Sequence, residues 1–300
     1  MSNLNVLISG WFSFEGMGAT AGDLIARDLV GSWLDEKHIP FEFACLPSFG
    51  EGILWEEASP EKYSHVIFVC GPYGNGWPIT EFLEKFKACK HIGLNLTMLQ
   101  SLDEWNPFDF LLERDSSRMA NPDFTLAASI QQVPVVGLIL AHKQKEYGEN
   151  ALHEFANSAF EKLIQSREMA VVPIDTALEN NAGGLRTPAE VENLIARMDL
   201  VLTTRLHGTV LSLKNGVPPI PIDPIRGGAK ISRQVMELGW PILFHADQID
   251  PLRLSQAFDQ CLESNTRKLS QTISKNAKEK IKSLKGELQG YLLSEKLWHG

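Results

Sequence analysis

Short apolar runs, each about as long as one buried strand, alternate through the first 260 residues with longer segments whose apolar positions recur every three or four residues. That alternation predicts helices crossing between parallel strands. The strand-like runs begin with Leu4 to Ser9, Phe41 to Leu46, His65 to Cys70 and His91 to Leu96. Ala21 to Asp35 predicts a helix with Ile25, Leu29 and Trp33 on its buried stripe, and Phe82, Leu83 and Phe86 face inward from another. The pattern then restarts with a strand at Val135 to Leu140, a helical stripe of Leu152, Phe155, Ala159, Phe160 and Leu163, and a strand at Met169 to Ile174. Thr187, Pro188 and Glu190 supply an N-cap, an N1 proline and a capping-box acid, with Val191, Leu194 and Ile195 as the buried face that follows. Asp199 to Thr203 reads as a strand, and a turn and helix run from it to Asn215, where Gly216 ends the helix. Three prolines within Val217 to Ile222 predict an edge or a short strand there.

Near the C-terminus, Leu269, Ile273, Ala277, Ile281, Leu284 and Leu288 fall on one helical face among a run of lysines. This predicts a packed helix with a solvated basic face, a membrane-surface role being the alternative reading. No internal sequence repeat is visible. The expected fold is α/β, with Rossmann-like domains at residues 1–130 and 131–262 and a C-terminal helix at 263–300.

Composition narrows the function. A net charge of −9 argues against a nucleic-acid partner, so an anionic ligand has to be held by a local cluster of cations. Four scattered cysteines, Cys45, Cys70, Cys89 and Cys261, form no metal or disulfide pattern and fit a reducing compartment. The N-terminus lacks the basic start of a signal peptide, and no apolar run approaches membrane-spanning length, so a cytoplasmic protein without metal or cofactor is expected.

The most informative stretch is T-T-R-L-H-G at 203–208, where a buried strand turns into a helix. Open parallel sheets bind ligands at such carboxyl edges. The helix N-terminus offers unpaired N–H groups, Arg205 adds a planar fork for phosphate or carboxylate, His207 can donate a proton, and Gly208 lets a ligand approach the backbone. The blander alternative has Arg205 paired with a nearby carboxylate and His207 satisfied in the interior. Gly16, Gly18 and Gly22 are one residue too widely spaced for a dinucleotide fingerprint.

T-T-R-L-H-G, with the G-V-P at 216–218, resembles the R-L-H signature of polysaccharide pyruvyl transferases. Arg114, Asp115 and Ser117 resemble that family's R-D-x-x-S segment, followed by P-D-F at 122–124, while Lys230 and Leu238-Gly239 resemble the lysine and L-G after the R-L-H helix. Gly22-Asp23 matches the G-D that closes the first glycine-rich loop; C-G-P-Y-G-N-G at 70–76 departs from the consecutive glycines usual there, and the asparagine usual before G-D is missing.

The resemblance implies a GT-B-like pair of domains and transfer of pyruvate from phosphoenolpyruvate to sugar hydroxyls as a ketal. It places Arg205, Leu206, His207 and Gly208 at the donor, with Lys230 and Arg114 as further contacts and His207 as the catalytic acid. Trp11, Asp23, Tyr73 and Trp77 then belong to loops facing a glycan or glycan-precursor acceptor, where Trp11, Phe12, Tyr73 and Trp77 could stack on a sugar. A nucleotide-sugar glycosyltransferase and a non-catalytic sugar- or anion-binding descendant are the rival readings.

Overall fold

The structure is a computed structural model describing residues 4–141, 145–179, 181 and 183–295. It divides into two compact units, Met1–Gln131 and Gln132–Gly300. In the first, the chain runs β1 (Val6–Gly10), α1 (Ala21–Asp35), β2 (Phe41–Phe43), β3 (His65–Tyr73), α2 (Ile79–Lys85), β4 (Lys90–Met98) and β5 (Phe110–Leu112). All five strands are parallel, in the order β2-β1-β3-β4-β5.

The second unit repeats this plan. Its elements are β6 (Val135–Ile139), α3 (His153–Gln165), β7 (Ala170–Pro173), α4 (Pro188–Ile195), β8 (Leu200–Thr203), α5 (Leu206–Lys214), β9 (Pro219–Asp223), α6 (Lys230–Leu238), β10 (Phe244–His245), α7 (Pro251–Leu262) and α8 (Ser264–Glu295). The order β10-β9-β8-β6-β7 is the first sheet's order again, each strand replaced by its counterpart. The expected α/β class, two Rossmann-like units with a C-terminal helix, is borne out. In both sheets the order reverses beside the opening strand, between β1 and β3 and between β6 and β8.

Strand alternation explains why the apolar runs are nearly continuous. In β1 and β3, Leu7, Val66 and Phe68 point to one face and Val6, Ile8, Ile67 and Val69 to the other, and helices or loops bury both. Val136, Leu200, Leu202, Ile220 and Ile222 do the same for one face of the second sheet, with Val201 and Ile139 on its reverse. The capping box forms as expected, Thr187 Oγ1 accepting from Glu190 N at 3.2 Å, and Gly216 ends α5 with φ +69°.

Four expectations need correction. The buried stripe of α1 is Asp23, Ala26, Val30 and Gly31, not Ile25, Leu29 and Trp33: the small residues let the helix lie close on the sheet, and Trp33 instead meets the Phe124 ring. Phe155 is 60% exposed, because α3 turns His153, Ala156, Phe160 and Leu163 to the core. Of the two readings for β9, the short strand holds and the edge does not: its five residues are buried along their length between β8 and β10. Pro219 and Pro221 are tolerated because Val201 N donates to Pro218 O, which aims Pro219 and Pro221 away from β8, and the Pro219 carbonyl accepts from Trp240 Nε1 at 3.0 Å. Finally, α8 is packed only in its first half. Thr266, Ser270, Ile273 and Ser274 are buried, while Ile281, Leu284 and Leu288 are 60%, 56% and 59% exposed.

Candidate functional site

In the second unit, the strand order reverses between β6 and β8, and the expected donor residues 205–208 follow the end of β8. Arg205 is the N-cap of α5, extended at φ −113° and ψ 140°. Its Nε donates to Leu140 O at 2.7 Å, and Nη2 lies 3.5 Å from Asp175 Oδ1, with both side chains about four-fifths buried. Asp175 follows β7 and is steadied by Ala177 N, which donates to Oδ1 at 2.9 Å. Beneath Arg205, Thr203 Oγ1 donates to Ile139 O at 2.9 Å and accepts from Arg205 N at 3.0 Å, tying the two strand ends together. The guanidinium is therefore carried on backbone that the Thr203 hydroxyl holds through two bonds.

His207 is exposed in the first turn of α5, while Leu206 is partly buried against the core of the unit. Gly208 does not serve the purpose expected of it. A Cβ there would stand 2.1 Å from Thr203 Oγ1 and 3.0 Å from Ile139 Cγ2, so the glycine admits the strand end rather than a ligand. Lys230 opens α6 and is exposed. The N-terminus of that helix is already met by Asp223, whose Oδ2 accepts from Ala229 N at 2.7 Å and from Ser232 N at 2.9 Å.

At the equivalent reversal of the first unit lies a cavity of about 520 Å³ lined among others by Trp11, Asp23, Cys70, Gly71, Arg114 and Asp123. Trp11 Nε1 donates to Pro72 O at 3.0 Å, and its indole occupies the place where a Cβ on Gly71 would be, 2.3 Å from Trp11 Cδ1. Asp23 uses Oδ2 for the α1 cap, accepting from Thr20 N and Thr20 Oγ1 at 2.8 Å each. Arg114 donates to Asp123 Oδ2 at 2.9 Å and to Thr97 Oγ1 at 2.6 Å. Burial alone would raise the Asp123 carboxyl, but bonds from Thr125, Arg114 and Asn95 outweigh it and hold the group at about 2.

The floor of this cavity is strained. Cys70 and Asn95 take left-handed backbone, φ +65° and +57°, on neighbouring strands. Such conformations cost on the order of 1–3 kcal/mol each and persist where surrounding bonds enforce them. Here Asn95 Nδ2 donates to Asp123 Oδ1 at 3.1 Å and Asn95 Oδ1 accepts from Phe124 N at 3.1 Å. The Cys70 thiol is pushed up to about 11, by burial first and then by Asp23 and Asp123, so it stays protonated and is no nucleophile.

Not every expected aromatic reaches the cavity. Phe12 and Tyr73 are fully buried, Tyr73 stacking on Trp105, so neither can stack on a ligand. Trp77 is 68% exposed and is not among the residues lining the cavity. Arg114, expected at the donor, lines this cavity with Trp11 and Asp23, whereas Arg205, Leu206, His207 and Gly208 stand together in the second unit.

A family model described as polysaccharide pyruvyl transferase matches residues 120–225. The resemblance read from the sequence is thereby supported over roughly a third of the chain. Asp123, Asp175 and residues 205–208 fall inside the matched stretch, while Trp11, Asp23, Arg114 and Lys230 fall outside it. No curated protein matches by sequence.

Solved structures that align include UDP-GlcNAc 2-epimerase of Methanocaldococcus jannaschii, at 12% identity over 92% of this chain and 99% of that one, TM-score 0.33. Another is the spinosyn rhamnosyltransferase SpnG, at 11% identity over 91% and 95%, TM-score 0.33. MurG of Acinetobacter baumannii aligns at 10% identity over 91% and 95%, TM-score 0.32. Scores this low carry neither arrangement nor chemistry to this chain.

Sequence reasoning missed Asp175 and Asn95. An acid directly after a strand's carboxyl end was the available signal for Asp175; nothing local marks Asn95 as left-handed.

Proposed function

We propose that the chain transfers pyruvate from phosphoenolpyruvate to a pair of sugar hydroxyls, with the donor held at Arg205. The observation behind this reading is the Arg205 guanidinium, fixed by Leu140 O and Asp175 at the strand-order reversal of the second sheet, inside the stretch that matches the pyruvyl transferase model. Such a fork suits the carboxylate or phosphate of phosphoenolpyruvate. Asp175 neutralises the arginine when the site is empty, and an incoming anion competes for the same cation.

The reaction adds a proton to the methylene carbon, making it methyl. The neighbouring carbon gains bonds to two sugar oxygens and loses its bond to the phosphate oxygen. The two hydroxyl protons balance, one for the methyl group and one for the departing phosphate. His207, exposed beside Arg205 in the sequence, supplies the proton, and Lys230 adds a point charge for the anion. The acceptor, a glycan or glycan precursor, occupies the first unit's cavity, with Trp11 against a sugar face and Asp23 receiving a hydroxyl.

Thermal shift with phosphoenolpyruvate against a panel of nucleotide sugars tests the donor, and inorganic phosphate release tests turnover. Stabilisation by phosphoenolpyruvate with phosphate release is expected. Stabilisation by a nucleotide sugar alone would replace this reading with a glycosyltransferase, and binding without turnover would leave a lectin-like descendant.

A further inference from the structure

The face of α8 that the second unit buries through Thr266, Ser270 and Ile273 continues past the point where burial stops. Ala277, Ile281, Leu284 and Leu288 follow at spacings of four, three and four, with Leu292 beside them, so one stripe runs on along the helix. Ile281, Leu284, Leu288 and Leu292 are each more than half exposed. A second row lies parallel to it: Lys275, Lys278, Lys282 and Lys285, at spacings of three, four and three. Where the rows begin, Lys275 and Lys278 line a polar hollow of about 470 Å³ together with Lys214 and Gln271.

Charge distinguishes the candidate occupants. Residues 275–288 hold five lysines against two glutamates, a local +3 on a chain of net −9. A second copy paired through the stripe would bring basic flanks together, because Lys280 stands on one side of it and Lys278 and Lys285 on the other. An anionic surface meets no such conflict: lysine stems extend along the apolar stripe while their ammonium groups reach outward.

We propose that the second half of α8 docks on an anionic lipid bilayer, with Ile281, Leu284, Leu288 and Leu292 entering the interface and the lysine row meeting the headgroups. This stands apart from the donor reading and involves none of its residues. No described helix is long and apolar enough to cross a membrane, so the contact lies on the surface.

Flotation of the intact chain with vesicles of phosphatidylcholine, alone or mixed with phosphatidylglycerol, tests it. The mixed vesicles should carry the protein, the neutral ones should carry much less, and added salt should release it. Each lysine near an anionic surface is worth about fivefold in binding, so Lys278→Glu with Lys282→Glu should lower it by at least about tenfold, as should Leu284→Glu with Leu288→Glu. Melting curves of both double variants should match the parent, since these side chains are exposed. The proposal is overturned if the parent chain ignores mixed vesicles or if the variants bind as it does. It is equally overturned if the parent sediments as a dimer that the leucine variants dissociate while vesicles stay bare, or if those variants melt early without any vesicle binding, which would mean the chain itself covers the stripe.

Discussion

Replacing Gly208 by alanine separates a packing role from a ligand-approach role. The new Cβ would stand 2.1 Å from Thr203 Oγ1 and 3.0 Å from both Thr203 Cβ and Ile139 Cγ2. Something must move, and the neighbour is a buried hydroxyl that donates to Ile139 O and accepts from Arg205 N. Overpacking costs about 1–3 kcal/mol, and a buried hydrogen bond disturbed with it about 0.5–1.5 kcal/mol, so Gly208→Ala should destabilise by roughly 2–4 kcal/mol. Urea unfolding would read this directly. The decisive measurement is a cycle with Thr203→Ala, which removes the hydroxyl that is in the way. In that background Gly208→Ala should cost about 1–2 kcal/mol less than in the parent. Additive costs would refute the packing argument. Unchanged stability with lost phosphoenolpyruvate affinity would restore the view that a ligand lies against Gly208.

Arg205→Ala should weaken phosphoenolpyruvate binding by roughly one to two orders of magnitude in calorimetric titration, since a hydrogen bond to a charged group is worth about 1.5–3 kcal/mol. His207→Ala should lower single-turnover rate by about 10² to 10⁴ with a smaller change in donor affinity; near-normal turnover would remove it as the acid. Lys230→Ala should weaken donor binding by less than Arg205→Ala does while keeping the fold, and an unchanged affinity takes Lys230 out of the site. The Asp123 carboxyl, about 2 in the folded chain against an ordinary 3.8, contributes stability that is fully present above pH 4 and is lost as pH falls toward 2. Asp123→Asn should flatten the urea midpoint across that window by the equivalent of about 1–2 kcal/mol; an unaltered slope would assign the acid sensitivity elsewhere.

Strand and helix positions were legible because buried parallel strands leave unbroken apolar runs and helices leave a period near 3.6. Which face of a helix packs was less so. In α1 the larger residues suggested one stripe and the close approach of helix to sheet selected another, built from Ala26, Val30 and Gly31. The first half of α8 was readable for the same reason that the second half misled: one continuous stripe shows no mark where its partner ends. Arg205 was legible because a cation at a strand-to-helix turn is conspicuous in sequence. Its partner Asp175 was hidden by lying thirty positions away in the sequence, and Tyr73 seemed a loop aromatic only because β3 runs three residues further than its apolar core. The doubled strand order left no trace of repetition in the sequence, since a strand order depends on where strands and helices fall and not on particular side chains.

That doubling places a strand-order reversal in each unit, with different charges beside the two. The first unit's cavity gathers two carboxylates, Asp23 and Asp123, around a single arginine and an indole, whereas beside the second reversal Arg205 is paired with one aspartate, Asp175. If the proposed function holds, the first unit's excess of carboxylates turns a carboxylated, phosphorylated donor away, whereas an uncharged polyol is indifferent to the field and is held by the indole and by acceptors for its hydroxyls. Sorting by sign thus precedes any reading of shape. Reversing the charge of the first unit's cavity should therefore change which ligands it admits even with every contour left as it was.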